Sequence, residues 1–434
     1  MARVLAIALA AALVSAAVVE AAPARTITHY HWTTVTFDEL NRRAAAAFMA
    51  RNPGVEVKLF LLPETSIPTV LRTARASGRP IDSFALSNGE SAEFLAAGQM
   101  VPIIPSAFGK TGISDVVDMW TPGAFEACGG AWNGQYFGVP FELSNYVGWV
   151  NVADMREAGL DPARDKPRTW EQFVQVARKL TRVEAGRTVR SGFACNSRVG
   201  IFDFLVLTTM MEQLGLDWGT ERGLVSSMDH PDVLARGLRT FTDFVVSSRV
   251  WDPALADDDR VAFAENHAAM FLTGGSWFVG LLDTTPAPPV RLADAEPFPY
   301  PRFPDGKDIG GVGYGYCLFV SRQSRDPELA FRFLDAMASQ PNEFIRYRYY
   351  QPRRWLSDGS TAVDTELARK HVPFYDQVFR PELARTARWL TSPKGSQVID
   401  LVWAAISRVI YEKGSVESSV STLQGGIRGL FAVR

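Results

Sequence analysis

Cysteine is nearly absent from this chain: Cys128, Cys195 and Cys317 are the only three in 434 residues. Three thiols allow at most one intramolecular disulfide, so the protein is not a small disulfide-stapled scaffold, and no CxxC or Cys/His spacing is present that would hold zinc. In an oxidising compartment a Cys128 to Cys195 bridge is one outcome; buried or unpaired thiols are the plainer expectation. An excess of charge of one sign is also missing. Forty-five Lys+Arg against 47 Asp+Glu leave a formal charge of −2, which removes the basic field that nucleic-acid binding needs, so no nucleic-acid partner is expected. Histidine is scarce as well. His29 and His31 share a strand face, but no acidic or cysteine partner stands at a useful spacing, and a structural or surface role is expected with no metal. The sequence contains no HExxH, GxSxG, GxxxxGK or GxGxxG, so no cofactor is expected. It also has no repeat of fixed period and no low-complexity tract.

Long hydrophobic runs are limited to one. Arg3 is followed by an apolar stretch from Val4 to Val19 and then by small residues around Glu20, Ala21, Ala22, Pro23 and Ala24. The run is Ala-rich and shorter than the roughly 20 residues a spanning helix needs. Val19-Glu20-Ala21 fits a small-x-small cleavage site, so residues 1–24 read as a secretory signal peptide. No cysteine follows the run, which excludes a lipid anchor at a new N-terminal cysteine. Export without an anchor points to the periplasm of a double-membrane bacterium, from which a free carrier would not diffuse away.

What is present is ordinary globular material, 47% hydrophobic and 21% charged, long enough for two domains. Thr26 to Trp32 reads as a strand. Phe37, Leu40, Ala44, Ala47 and Phe48 follow at helical spacing until Asn52-Pro53-Gly54. Strands over Val55 to Leu62 and Ile81 to Leu86 alternate with helices over Pro68 to Ala76 and Glu90 to Ala97, which implies βαβ units and a parallel sheet. A second alternation starts near Gly138 to Asn151. Thr169 with Gln172 makes a capping box for a helix to about Leu180, and Pro231 opens another to about Val246. Ala268 to Leu272 is a buried strand. The proline-dense stretch Asp283 to Asp308 reads as connector or edge, and Gly315 to Val320 as strand. Asp326-Pro327 caps a helix, and the chain is mostly helical beyond Pro352. Gly310, Gly311, Gly313 and Gly315 precede a strand where a phosphate loop would follow one, so they read as a hinge or a close ligand approach.

Five segments, in order, resemble the extracellular solute-binding proteins of ABC importers, specifically the maltose-binding-protein-like group that takes sugars and glycerol phosphates. They are Ile81 to Leu86 with Ala92 to Pro102; Trp132-Asn133-Gly134-Gln135-Tyr136-Phe137-Gly138-Val139-Pro140-Phe141 leading to Trp149-Val150-Asn151; Thr169 to Phe173; Ala268 to Trp277; and Gly313 to Ser321 with Asp326 to Leu334. Departures occur at Val150-Asn151, where the family has Tyr-Asn, and at Leu86, Gly89 and Glu90, which do not support maltose specificity. The resemblance implies a two-lobed type II binding-protein fold, α/β, each lobe a mostly parallel sheet flanked by helices. Residues 25–143 and 314–350 would form the N-terminal lobe and 144–313 and 351–434 the C-terminal lobe, with crossings near 143–147, 311–316 and Pro352. It implies no catalysis, a monomer, a small carbohydrate or polyol as ligand, and ABC permease transmembrane subunits as partners. An anionic ligand such as glycerol phosphate, and a secreted carbohydrate-active enzyme using two of the many carboxylates, are the alternatives.

Ligands of such folds sit outside the carboxyl ends of strands, near helix N-termini. Candidate contacts are Thr34 and Thr36 after the first strand, and Ser87, Asn88 and Glu90 at a strand-to-helix turn. In the first crossing they are Glu142, Ser144 and Asn145 with Tyr146, and in the Gly-rich segment Gly313 and Tyr314. Trp277 and Trp389 are platforms that could stack on sugar C–H faces. Arg354, beside Arg353, offers a fork for an anion, with surface salt bridging as the competing role.

Overall fold

The computed structural model describes residues 25–432 apart from 64–65, 197–199, 256–257, 285–288 and 355–365. The signal-peptide expectation falls on residues 1–24, outside the described residues. No helix among the described residues is long and apolar enough to cross a membrane.

Three β-rich segments open the chain: β1 (Arg25–Trp32), β2 (Val55–Leu62) and β3 (Ser83–Ser87). Between the first two lies α1 (Val35–Arg51). Thr34 caps it by accepting the Phe37 N–H at 3.0 Å, and Phe37, Leu40, Ala44 and Phe48 bury the predicted face. After α2 (Ile67–Ala76) and β3, the helix α3 (Asn88–Ala96) completes the alternation. The hairpin β4 (Ala131–Trp132) and β5 (Gln135–Tyr136) precedes β6 (Gly138–Asn145) and β7 (Val147–Asn151). A second hairpin, β8 (Arg182–Glu184) and β9 (Arg187–Arg190), is followed by β10 (Met270–Gly274), β11 (Ala295–Phe298), β12 (Gly310–Val320) and β13 (Thr386–Ala387).

The main sheet runs β13-β12-β3-β1-β2, with β6 also pairing β12. The expectation of mostly parallel sheets holds for β1 with β2 and β3 and for β12 with β13. It fails elsewhere: β12 is antiparallel to both β3 and β6, and the smaller sheet β10-β7-β11 is antiparallel throughout. The chain leaves the first half along β6 and comes back along β12, so these neighbours run in opposite directions. Edge strand β11 lies inside the proline-dense stretch read as connector or edge. Its Pro297 stands opposite Trp149, a place proline tolerates because an edge strand can do without one ladder N–H.

Two large cores and a smaller one result. The first gathers Phe37, Phe84, Phe141, Leu318, Phe319 and Phe333. The second gathers Trp170, Phe173, Met210, Phe244, Ala405 and Ile427. The third holds Trp149, Phe271, Phe278, Tyr350 and Phe379. Strand β12 is shared between the two large cores: it gives Val312 and Tyr314 to the second and Leu318 to Val320 to the first. Its first half pairs with the end of β6, Gly313 opposite Asn145 and Gly315 opposite Leu143, and the Leu143 N–H reaches the Tyr350 carbonyl at 2.9 Å. Two glycines of β12 allow close packing here: a Cβ on Gly311 would lie 2.3 Å from the Tyr146 carbonyl oxygen, and one on Gly315 2.9 Å from the Cys128 Cα.

The thiols differ from expectation too. Cys128 is bridged to Cys317, 189 residues away, and Cys195 is the buried free thiol.

Candidate ligand-binding cleft

A cavity of about 470 Å³ opens beside the paired strands β6 and β12, of the size that takes small solutes. One wall comes from strand ends and helix starts of the first half. Trp32 closes β1, Thr34 and Phe37 open α1, and Ser87, Gly89 and Glu90 form the turn from β3 into α3. That turn is held locally: the Ser87 N–H and hydroxyl both donate to Glu90 Oε2, at 3.1 and 2.9 Å. A carboxylate there also suits the positive end of a helix.

The floor is the crossing itself. Side chains two apart on a strand share a face, which brings Tyr314 and Tyr316 of β12 to the cavity together with Glu142 of β6 and the following Tyr146. Tyr146 and Tyr314 stack with centroids 4.8 Å apart, and Tyr316 lies 4.0 Å from Trp32. Glu142 is only 2% exposed. Burial, and then the Glu142 charge, push the Tyr314 and Tyr349 phenols up from their ordinary value, so both stay protonated and can donate.

The far wall comes from the second half. Phe202 and Phe204 lie in the first turn of the helix Ile201–Gln213, and Trp277 donates its indole N–H to the Tyr314 hydroxyl. Arg260 lies over the Phe202 ring at 4.3 Å, and its Nε stands 3.7 Å from both Asp258 and Asp259. Burial pushes the Asp259 carboxyl up to about 6 against the pull of Arg260. Trp389 spans the cavity to α3, where a Cβ on Gly89 would fall 2.3 Å from its Nε1. Only glycine leaves room for the indole.

Of the residues singled out from sequence, Thr34, Ser87, Glu90, Glu142, Tyr146, Tyr314, Trp277 and Trp389 line this cavity. Thr36 belongs to α1, with its side chain outside the described residues. The others lie elsewhere. Asn145 and Gly313 occupy the opposite strand face, and a Cβ on Gly313 would meet Thr386 at 2.9 Å. Ser144 has the right parity but is buried, its hydroxyl 2.8 Å from where a Gly275 Cβ would lie. Asn88 is buried where Gly129 packs against its backbone. Arg354 gives its backbone N–H to the Met119 carbonyl and does not line the cavity, while Arg353 pairs with Asp335 at 2.9 Å over the Trp120 ring. Trp32, Phe37, Tyr316, Phe202, Arg260 and Tyr349 line it without having been singled out. Only Tyr316, two residues beyond Tyr314, carried a local signal.

His29 and His31 lie in the core and not at the surface. Both are fully buried on β1, 5.7 Å apart, and burial drives both imidazoles toward the neutral form, His31 to about 3. No cluster of three metal-ligating side chains exists among the described residues.

The chain matches solved structures of solute-binding proteins over nearly its whole length. An ABC transporter solute-binding protein of Thermotoga lettingae, bound to α-D-tagatose, superposes with a TM-score of 0.75 at 18% identity, covering 94% of this chain and all of that one. An ABC substrate-binding protein of Listeria monocytogenes, in complex with cycloalternan, gives 0.76 at 18% identity, over 94% and 100%. One from Agrobacterium vitis with bound D-mannitol gives 0.71 at 15%, over 94% and 98%. At such identities the likeness is one of fold, the two-lobed type II α/β fold. No curated protein matches the chain in sequence. The model of the bacterial extracellular solute-binding protein family matches residues 33–343, and the chain therefore belongs to that family.

Proposed function

We propose that this protein is the exported, non-enzymatic capture component of an ABC importer. It binds a carbohydrate or polyol in the cavity beside β6 and β12, and presents the closed, loaded form to membrane permease subunits. The observation that carries this reading is the composition of the cavity wall. Aromatic faces from both halves, Trp32 and Trp277 among them, meet hydroxyl and carboxylate groups at Tyr314, Thr34 and Glu142. A polyhydroxylated ring has the same two characters, apolar C–H faces and a girdle of O–H groups. A ligand touching both walls favours closure by its greater affinity for the closed form, and the paired stretches at 143–146 and 312–316 are where the halves would pivot.

Native mass spectrometry of protein purified without denaturant tests this. The expected result is a bound adduct that, after release, is a sugar or polyol and is returned chemically unchanged on prolonged incubation with the protein. Recovery of a hydrolysed product would favour a carbohydrate-active enzyme. A released ligand that is neither sugar nor polyol would overturn the reading.

A further inference from the structure

The cavity is crossed by a contact between the two halves of the molecule. Gly89 lies in the first turn of α3, a helix packed on the first core through Phe94 and Leu95, whereas Trp389 packs against the second core and precedes Leu390, one of its members. A Cβ on Gly89 would stand 2.3 Å from Trp389 Nε1 and 2.7 Å from its Cε2. The start of the helix Gly395–Ile410 lies beside them: a Cβ on Gly395 would stand 3.7 Å from the Gly89 carbonyl oxygen. Space, and not the backbone, requires the glycine. Its φ is not positive, and glycine weakens a helix relative to alanine.

Both sides of the contact are braced. Behind the α3 turn, a Cβ on Gly129 would stand 2.8 Å from the Asn88 Cα, the Gly129 carbonyl accepts the Ser91 hydroxyl at 3.0 Å, and the neighbouring Cys128 is bridged to Cys317. On the other side, the Arg388 N–H donates to Glu212 Oε2 at 3.2 Å, the Thr391 N–H reaches the Gly219 carbonyl at 3.4 Å, and Leu390 is buried. An indole carried by one half therefore seats on a bare helix turn carried by the other. Such a contact exists only when the halves are together. It favours that arrangement whether or not a solute is bound, and it raises the apparent affinity of any solute that needs the closed form.

We propose that Gly89 and Trp389 form a latch between the halves that holds a closed population of the protein before any solute binds, with the missing side chain of Gly89 letting the indole seat. This rests on the reading that the halves pivot about the paired stretches of β6 and β12, and not on the identity of the solute.

Pulsed electron paramagnetic resonance on protein stripped of solute by dialysis decides. Nitroxides on Ala96→Cys in α3 and Asp400→Cys in the helix Gly395–Ile410 report the separation of the halves. Both positions are exposed, and the native cysteines are bridged or buried, so neither takes a label. Otherwise unsubstituted protein should contain a short-distance population. In Gly89→Ala the ratio of that population to the longer one should fall by at least about tenfold. Trp389→Ala, which removes a half-buried ring, should lose the same population. Adding Gly89→Ala to Trp389→Ala should then change nothing further, since the partner of the added methyl is gone. A cooperative melting transition shows which variants are folded, and if Gly89→Ala is not, Trp389→Ala reads the latch from the other side. One distance distribution shared by the parent and both variants overturns the proposal. A Gly89→Ala shift that persists in full in the Trp389→Ala background also overturns it, by placing the effect in α3 itself. A solute that is neither sugar nor polyol would overturn the proposed function and leave these distances as they are, so the two failures are told apart.

Discussion

The half of the molecule built on β1, β2 and β3 buries two imidazoles, His29 and His31, whereas the half around the helix Ile201–Gln213 buries several carboxylates, Asp203 and Asp259 among them. Burial favours the neutral form in each case, lowering the bases and raising the acids. The consequences for stability are opposite in sign. An imidazole whose folded pKa is depressed supports the fold above its unfolded value, near 6.5, and withdraws that support as pH falls. A carboxyl whose folded pKa is raised supports the fold at low pH and withdraws support as pH rises through about 6. Two halves of one chain thus have different optimal conditions, and the cavity they share depends on both.

The halves also differ in covalent support, and removing it should give the largest separation between them. The Cys128–Cys317 bridge ties together parts of the first core, while the second has only the free Cys195. A Cys128→Ser/Cys317→Ser variant should lose on the order of 2–5 kcal/mol. Native-state hydrogen exchange should show the loss in β1, β3 and β12 and not in Ile201–Gln213. Equal loss in both halves would show that they unfold as one unit.

Acidification comes next. Between pH 7 and pH 5 the His31 contribution alone should cost the first half about 2 kcal/mol, while Asp259 returns about 1 kcal/mol to the second. Exchange corrected for intrinsic rates should therefore show protection falling in the first half and holding in the second. A His31→Phe variant should flatten the first response and leave the other. Parallel behaviour of both halves would contradict the assignment.

The smallest expected effect is Tyr314→Phe. It removes the hydroxyl that accepts the Trp277 indole N–H and one donor to the ligand. Affinity should fall by about 0.5–1.5 kcal/mol with the ring stack on Tyr146 retained, as a titration with the released ligand would read.

The same contrast explains what was legible before the fold was known. The first half reads easily because its elements are amphipathic: Phe37, Leu40, Ala44 and Phe48 mark one helix face, and Ser87 with Glu90 announces a helix start. Ile201–Gln213 gave no such signal. From Asp203 to Gln213 every residue is buried, and a helix without a polar face has no period to detect. β11 was hidden by its proline. The site divides likewise. Residues at strand-to-helix turns, such as Thr34, Ser87 and Glu90, were found because topology alone puts such turns at the mouth of a sheet. Phe202, Arg260 and Tyr349 reach the cavity through long-range packing that no local spacing encodes. Asn145 and Gly313 were misplaced by one strand residue, enough to turn a side chain to the other face. The Cys128–Cys317 pairing spans 189 residues and follows only from β12 returning beside the segment that ends in Cys128.

The central claim is that the cavity wall, and not the core behind it, holds the ligand, and Trp277 tests it most directly because its half-buried ring faces both. Calorimetric melting of wild type and Trp277→Ala is measured with and without the ligand released from the native protein. Loss of stacking and apolar burial should weaken binding by on the order of 1–3 kcal/mol, roughly tenfold to a hundredfold. The account predicts an unchanged apo melting temperature in the variant and loss of most of the ligand-induced rise. An apo melting temperature lowered by a cavity of about 3–5 kcal/mol, with the ligand-induced rise intact, would place Trp277 in the core and contradict it.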